Sequence, residues 1–156
     1  MKQTSARLHV LLASRSADAV VIRRGPSKSV CFVHWNRQTD RFKVAQWMRG
    51  RVYERRSDLS PDGKFLIYFA SNYGRNLQAW TAISRAPYMK AIALFAKGDA
   101  WHGGGLFTGD NTYWLNDGYG HTVLRQSSLV KRDEVFHPAM RLVFSGQCNI
   151  LMDILG

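Results

Sequence analysis

The sequence has few of the residues that would define a disulfide-stapled, metal-binding or membrane-spanning protein. Only two of its 156 residues are cysteine, Cys31 and Cys148. The two are too few for a disulfide framework and too far apart for a metal-binding motif, and Cys31 lies in an apolar run that predicts a buried thiol. The longest apolar runs, such as Phe65–Ala70, have six residues, whereas a helix that spans a membrane needs about 20. With 46% hydrophobic residues the chain is not disordered, and we expect one domain over residues 1–156.

The pattern near the N-terminus is not the one expected of a signal peptide. The apolar stretch Leu8–Ala13 is short and is interrupted by His9, and Arg15 follows soon after. The apolar core of a signal peptide has about 7–15 residues. We therefore expect a cytoplasmic protein without a membrane partner.

Acidic residues are scarce relative to basic ones. The chain has 22 Lys and Arg against 11 Asp and Glu, which gives a net charge of +11. The excess lies in the first half, where residues 1–78 carry 15 basic and 5 acidic side chains, while residues 79–156 carry 7 and 6. Such an imbalance favours anionic partners, nucleic acids among them.

Helical periodicity is absent, since no window of a dozen residues repeats apolar side chains at helical spacing. Short runs rich in β-branched and aromatic residues alternate with turn sequences such as Ser60-Pro61-Asp62-Gly63 and Asn116-Asp117-Gly118. The sequence therefore predicts an all-β, antiparallel fold.

Four segments recur in the same order along the chain. The matched pairs are Leu11–Ser14 with Tyr68–Ser71, Arg24–Lys28 with Arg85–Lys90, Gly50–Tyr53 with Gly104–Phe107, and Ser60–Leu66 with Thr108–Trp114. A period of about 50 residues is typical of propeller blades, which cannot bury their apolar faces alone. We predict repeat units over residues 8–63 and 64–116, with flanking strands after them.

One segment carries a family resemblance. Ser60-Pro61-Asp62-Gly63-Lys64, followed by the apolar run Phe65–Phe69, resembles the turn and strand of TolB-type and WD40-like β-propellers. The resemblance implies propeller-blade-like repeats, and this length supplies about three blade units, fewer than the four to eight of a closed ring. We therefore expect an open stack of sheets, a ring completed by a second copy, or a piece of a longer parent; another antiparallel sandwich or barrel is the alternative.

In the densest basic segment, residues 41–55, the basic and the apolar side chains fall on odd-numbered and even-numbered positions respectively. If residues 41–55 keep a strand's alternation, the odd-numbered side chains share one face, and the apolar Phe42, Val44, Met48 and Val52 point to the core. Arginine interleaved with aromatic rings attracts phosphates and stacks bases. The predicted anion-binding face is therefore Arg41, Lys43, Trp47, Arg49, Arg51, Tyr53 and Arg55.

Catalytic signals are weak. His102-Gly103-Gly104-Gly105 resembles the oxyanion loop of lipases, but the G-x-S-x-G nucleophile motif is missing, so we expect structural glycines. His102 and His121 lie in glycine-rich segments and, if they met Asp99 and Asp117, would form a hydrolase or lyase site. We predict no catalytic, cofactor or metal site.

Three functional hypotheses follow from these patterns. The favoured one is a non-catalytic interaction module that binds a protein partner or a second copy of itself. The first alternative is a nucleic-acid-binding protein that uses the Arg, Trp and Tyr face. The second alternative is the His/Asp-dependent hydrolase or lyase.

Overall fold

The computed structural model describes residues 5–25, 28–72 and 77–132, and within these ranges all regular structure is β-strand. The turn propensities of the sequence contribute to this content, since Asp40, Gly50, Gly104 and Asn111 each directly precede a strand. The strands are β1 Arg7–Leu12, β2 Asp18–Arg24, β3 Ser29–Asn36, β4 Arg41–Arg49, β5 Arg51–Leu59, β6 Phe65–Ser71, β7 Ala79–Arg85, β8 Ala91–Lys97, β9 Gly105–Phe107, β10 Thr112–Leu115, β11 Thr122–Arg125 and β12 Val130–Lys131.

The strands form three sheets. Sheet 1 is an antiparallel meander with the order β1-β2-β3-β4, so β1 and β4 are its edges. Sheet 2 has the order β11-β8-β7-β6-β5, and sheet 3 has the order β12-β10-β9. Every pair is antiparallel except β10 with β12, which is parallel.

Two apolar cores join the three sheets into a stack. Between sheets 1 and 2, Ile22 and Phe32 pack with Leu66 and Tyr68. On the other side of sheet 2, Ile67, Ile83 and Phe95 pack with Tyr113 and Leu115 of sheet 3. Sheet 2 therefore has both faces covered, which explains why β6 is apolar without alternation.

The turn before β6 is held by its own polar side chains. Ser60 Oγ donates to Asp62 Oδ1 at 2.7 Å, and Phe65 N donates to Ser60 Oγ at 2.9 Å. Gly63 has a φ of +78°, which a residue with a Cβ rarely adopts. The Ser-Pro-Asp-Gly sequence thus fixes the β5–β6 connection locally.

The predicted all-β class is confirmed for the described residues. The three sheets are unequal and do not form a closed propeller, and they are not clear blade repeats. The predicted unit 8–63 contains all of sheet 1 together with β5, which belongs to sheet 2. Strand propensity also predicts strands over Arg141–Phe144 and Asn149–Met152, which lie outside the described residues, whereas it does not predict the two-residue β12.

Two further expectations concern burial and membranes. Cys31 is buried as predicted, with 1% of its surface exposed, and burial raises the pKa of its thiol. In the described part of the chain no helix has the length and apolar character needed to cross a membrane.

Candidate functional site

The predicted basic face does not stay together on β4. Arg41 and Lys43 lie opposite Asn36 and His34, whereas Trp47 lies opposite Cys31. Between them the register shifts, because the partners pass from Val33–Val44 to Phe32–Gln46 and leave Ala45 unpaired. Such a bulge reverses which face the odd-numbered residues occupy. Arg41 and Lys43 therefore share the inner face with His34, and Trp47 and Arg49 lie on the outer face of sheet 1.

The prediction that Phe42 and Val44 point to the core is wrong. Each exposes 61% of its surface. The bulge and the edge position of β4 place them on the outer face, where Phe42 stacks on Trp35 with ring centroids 5.4 Å apart. Met48, beyond the bulge, packs partly against the core, and Val52 is fully buried, as the pattern predicted.

The other three predicted residues belong to sheet 2. The guanidinium of Arg51 lies 4.6 Å from the centroid of the Tyr53 ring. Arg55 is exposed in an irregular part of β5, where pairing with β6 is lost between Tyr53 and Asp58. The seven predicted residues thus fall on separate surfaces rather than on one strand face.

A basic cleft opens where sheets 1 and 2 meet. It has a volume of about 620 Å³, and the described residues that line it include four cationic side chains, Arg7, Arg24, Lys28 and Arg51, and no acidic one. Volumes of this size accommodate small ligands. Ser5, Gly25, Ser29, Val30, Gly50, Ser71 and Asn72 complete the wall. Of the seven residues predicted from the sequence, only Arg51 contributes.

Strand pairing concentrates the charge in the cleft. Arg7 is the register partner of Arg24 across β1 and β2. Like charges in this position are destabilising. Glu54 offsets one of them, since Arg24 Nη1 donates to both of its carboxylate oxygens at 2.8 Å. Among the described residues, Arg7 and Lys28 form no ion pair, so positive charge remains without a counter-ion.

The backbone at the cleft is fixed by two unusual conformations. Gly50, at the crossover from sheet 1 to sheet 2, has a φ of +145° and donates through its N–H to Lys28 O at 2.7 Å. A Cβ at this position would lie 2.7 Å from Ser71 O. Lys28 itself has a φ of +61°. The close approach of the backbones therefore requires glycine at position 50.

The cleft residues were missed because they are distant in sequence. Arg7, Arg24, Lys28 and Arg51 come from β1, β2, a turn and β5, and strand pairing brings them together. The available signal was the excess charge of residues 1–78, which contain all four. Charge count alone does not reveal which strands pair.

His102 and His121 make separate contacts beside the loop that contains Asp117. His121 Nδ1 is 3.7 Å from Asp117 Oδ2, too long for a hydrogen bond. His102 contacts Tyr119, with ring centroids 4.6 Å apart, and approaches Asn116 Oδ1 at 3.4 Å. Asp99 accepts from the Trp101 N–H. In the described ranges no group of three His, Cys, Asp or Glu is placed to hold a metal.

The glycines after His102 have structural roles, as expected. A Cβ on Gly103 would overlap the Phe69 ring, and a Cβ on Gly105 would overlap the carbonyl of Trp114. Their backbones pack closely against sheets 2 and 3. This packing accounts for the three consecutive glycines without an oxyanion hole.

We expect the stability of the protein to fall on acidification because of His121. Burial, including an edge contact with Phe95, lowers its pKa from the ordinary value of 6.5; Asp117 opposes this, and Lys131 and Lys97 add to it. The unfolded chain then binds the proton more readily, so this contribution is present above pH 6.5 and is lost as pH falls through the folded-state pKa. His121→Gln should reduce the loss of stability between pH 7.5 and 5, measured by urea unfolding. An unchanged pH dependence would contradict the assignment.

Comparison with known proteins identifies no relative of this chain. No protein-family model, curated protein or solved structure matches the chain. The chemistry of the cleft and of the exposed faces is therefore the basis for assigning a function.

Proposed function

We propose that the protein is a non-catalytic binding module and that its basic cleft holds a compact anionic group, such as a phosphoryl group, of a ligand or partner. The observation that carries this proposal is the pair of cations without a counter-ion, Arg7 and Lys28, beside Arg24 and Arg51 in one concave site. An anion bound there would offset the repulsion between Arg7 and Arg24.

The nucleic-acid alternative depends on aromatic rings beside the charges. Stacking platforms supply about 1–3 kcal/mol per base, but none of the described residues that line the cleft is aromatic. The exposed rings of Phe42 and Trp47 lie on the outer face of sheet 1, whereas Arg41 and Lys43 lie on its inner face. The cleft cations and these exposed rings are thus on different surfaces, which favours a compact anion over a strand of stacked bases.

The blade-like interpretation remains part of the proposal. The four sequence matches fall at corresponding places in the strands: the ends of β1 and β6, the turns before β3 and β8, the starts of β5 and β9, and the turns before β6 and β10. This correspondence supports a relation between β1-β2-β3 and β6-β7-β8. On this interpretation the module is a short series of blade-like sheets in a cytoplasmic protein that acts through binding.

We expect the double variant Arg7→Ser/Lys28→Ser to bind pyrophosphate at least tenfold more weakly than the unmodified protein. Removing the two cations without a counter-ion takes away the charge that an anion would meet, while exposed substitutions rarely cost more than about 0.5 kcal/mol of stability. Calorimetric titration with pyrophosphate at low ionic strength measures the change.

The matched control is Arg41→Ser/Lys43→Ser, which removes the same charge from exposed positions of β4. Its pyrophosphate affinity should change less than twofold. Equal losses in the two variants, or no pyrophosphate binding by the unmodified protein, would contradict the proposal. Salt-sensitive binding of single-stranded DNA that is lost only in Arg41→Ser/Lys43→Ser would instead support the nucleic-acid alternative.

A further inference from the structure

A second concave site lies where the turn between β7 and β8 meets β4 of sheet 1 and β11 of sheet 2. Its volume is about 770 Å³, which is within the range of pockets that hold small ligands. We call it the Tyr88 pocket, and the described residues that line it are Gln46, Arg85, Tyr88, Lys90, Ala91, Ile92 and Arg125. None of these residues lines the basic cleft, so the pocket is separate from the site of the proposed function.

Interrupted pairing between β7 and β8 shapes one wall of the Tyr88 pocket. The partners pass from Ile83–Ala93 to Ser84–Ala91, which leaves Ile92 unpaired. Neighbouring side chains of a regular strand point to opposite faces, yet Ala91 and Ile92 both line the pocket. The bulge therefore turns an additional residue toward the pocket.

Two more register shifts adjoin the same pocket. Leu124 is left unpaired between β11 and β8, directly before Arg125. Ala45 is left unpaired between β3 and β4, directly before Gln46. Three of the four register shifts in the described strands thus adjoin one concave site. Bulges re-aim side chains and are over-represented next to active sites, so this clustering indicates a site that the fold constructs.

Three cations converge on Ala91, at the base of the Tyr88 pocket. Lys90 directly precedes Ala91, and Arg85 directly follows Ser84, the register partner of Ala91 on β7. Arg125 approaches from β11, where its Nη1 donates to the Ala91 carbonyl at 2.8 Å. Among the described residues these three cations form no ion pair, and no described lining residue is acidic. The pocket therefore attracts anionic groups such as phosphates.

Tyr88 adds an aromatic ring to this set of charges. It exposes 48% of its surface. Its backbone is held on both sides, since its N–H donates to Arg85 O at 2.8 Å and its carbonyl accepts from Ser84 Oγ. An exposed ring beside cations provides the two contacts that a nucleotide uses, which are stacking for the base and charge for the phosphates.

Hydrogen bonds from Met89 fix the turn that carries Tyr88. The Met89 N–H donates to Gln46 Oε1 at 2.9 Å, and its carbonyl accepts from the buried Tyr68 hydroxyl at 2.7 Å. The turn is thereby tied to β4 and to β6. Within the described residues the Gln46 NH₂ group has no partner, so it can donate to an acceptor on a ligand. A wall that is formed in advance lowers the ordering cost of binding.

We propose that the Tyr88 pocket binds a nucleoside polyphosphate, with the base stacked on Tyr88 and the phosphates among the three cations. A single-stranded nucleic acid needs a series of rings for successive bases. Among the described lining residues Tyr88 is the one aromatic side chain. This favours a single nucleotide over a polymer. The pocket and the basic cleft thus differ in the ligand they recognise, since the described lining of the cleft contains no ring.

Calorimetric titration of Arg7→Ser/Lys28→Ser with ATP tests this proposal, because that double variant removes from the cleft the charge that would also attract a triphosphate. In this background ATP should bind at least tenfold more tightly than inorganic tripolyphosphate, which has the charge but no base. Adding Tyr88→Leu should reduce this preference to less than twofold by removing the stacking surface. Tyr88→Phe, which keeps the ring, should retain the preference.

Tyr119→Leu is the matched control. Tyr119 is also an exposed tyrosine, at 76%, and it lines neither the cleft nor the Tyr88 pocket. Its replacement in the same background should leave the ATP affinity within twofold. Lys90→Ser tests the charge and should weaken ATP binding at least threefold. Circular dichroism checks that each variant is folded, and Lys90→Ser takes the place of Tyr88→Leu if the latter does not fold.

Four results would overturn the proposal. They are no ATP binding by Arg7→Ser/Lys28→Ser, equal affinities for ATP and tripolyphosphate, equal losses in Tyr88→Leu and Tyr119→Leu, and binding of a single-stranded oligonucleotide through Tyr88 without binding of ATP. The last result would assign the pocket to nucleic acid. Because the cleft cations are already replaced in this background, these outcomes are independent of pyrophosphate binding in the cleft.

Discussion

Replacing Gly104 with alanine should destabilise the protein by about 2–6 kcal/mol, because overpacking and a non-glycine residue at positive φ each cost about 1–3 kcal/mol. This is a large part of the stability of a domain this size. Gly104 has a φ of +82°, and a Cβ there would overlap the backbone carbonyl of Arg56 on β5. Its N–H donates to the buried Thr81 Oγ1 at 2.7 Å, so the backbone cannot withdraw without losing this bond. Urea unfolding followed by tryptophan fluorescence measures the loss.

Gly98→Ala is the matched control for this substitution. Gly98 has no positive φ, and a Cβ there would meet no atom within 4 Å. Its stability should stay within about 0.5 kcal/mol of the unmodified protein. Similar losses at positions 98 and 104 would show that the close approach of β5 to the Gly104 backbone does not determine stability.

Sequence patterns predicted those parts of the fold that local chemistry decides. The Ser60–Lys64 turn is made by its own side chains, and helices were excluded because no helical period exists. These two features need no knowledge of which strands pair. Glycines 103–105 were expected to be structural, but the residues that they approach, Phe69, Arg56 and Trp114, lie on other strands that the sequence did not identify.

The seven residues predicted to share one face are divided, because the alternation of side chains depends on an unbroken register. No residue type marks Ala45 as a bulge, yet one unpaired residue moved Phe42 and Val44 from the expected core side to the solvent. The prediction from odd-numbered positions also assumed that β4 and β5 continue one surface. The crossover at Gly50 instead places Arg51 and Tyr53 in a second sheet.

The separation of the cleft cations from the exposed rings of sheet 1 follows from the same geometry. In sequence, the basic residues from 41 to 55 interleave with Trp47 and Tyr53 and predict one mixed surface. In the fold, cations from four segments converge in the cleft, while Trp47 and Phe42 lie with valines on the outer face of sheet 1. An anion in the proposed site would therefore not contact these two rings.

The role of Arg56 could not be predicted, because nothing in the sequence distinguishes it from the adjacent Arg55. Arg56→Ala should cost about 2–4 kcal/mol, since hydrogen bonds to charged groups contribute about 1.5–3 kcal/mol each. Its half-buried Nη1 donates to the carbonyls of Ala100 and His102 at 2.8 and 2.7 Å, and its guanidinium lies 5.2 Å from the Tyr53 ring centroid. Burial lowers the pKa of the Arg56 guanidinium, because removal from water disfavours its charged form.

Two controls separate the loss of these bonds from the loss of a charge. Arg55→Ala removes the same charge from the adjacent exposed position and should change the free energy of unfolding by less than about 0.5 kcal/mol. Arg56→Lys keeps the charge but not the planar guanidinium, and should recover only part of the loss. Urea unfolding of the three variants gives the comparison. If Arg55→Ala and Arg56→Ala were equally destabilised, the positive charge of β5 would be the stabilising feature. The hydrogen bonds from Arg56 to the loop before Gly103 would then not be.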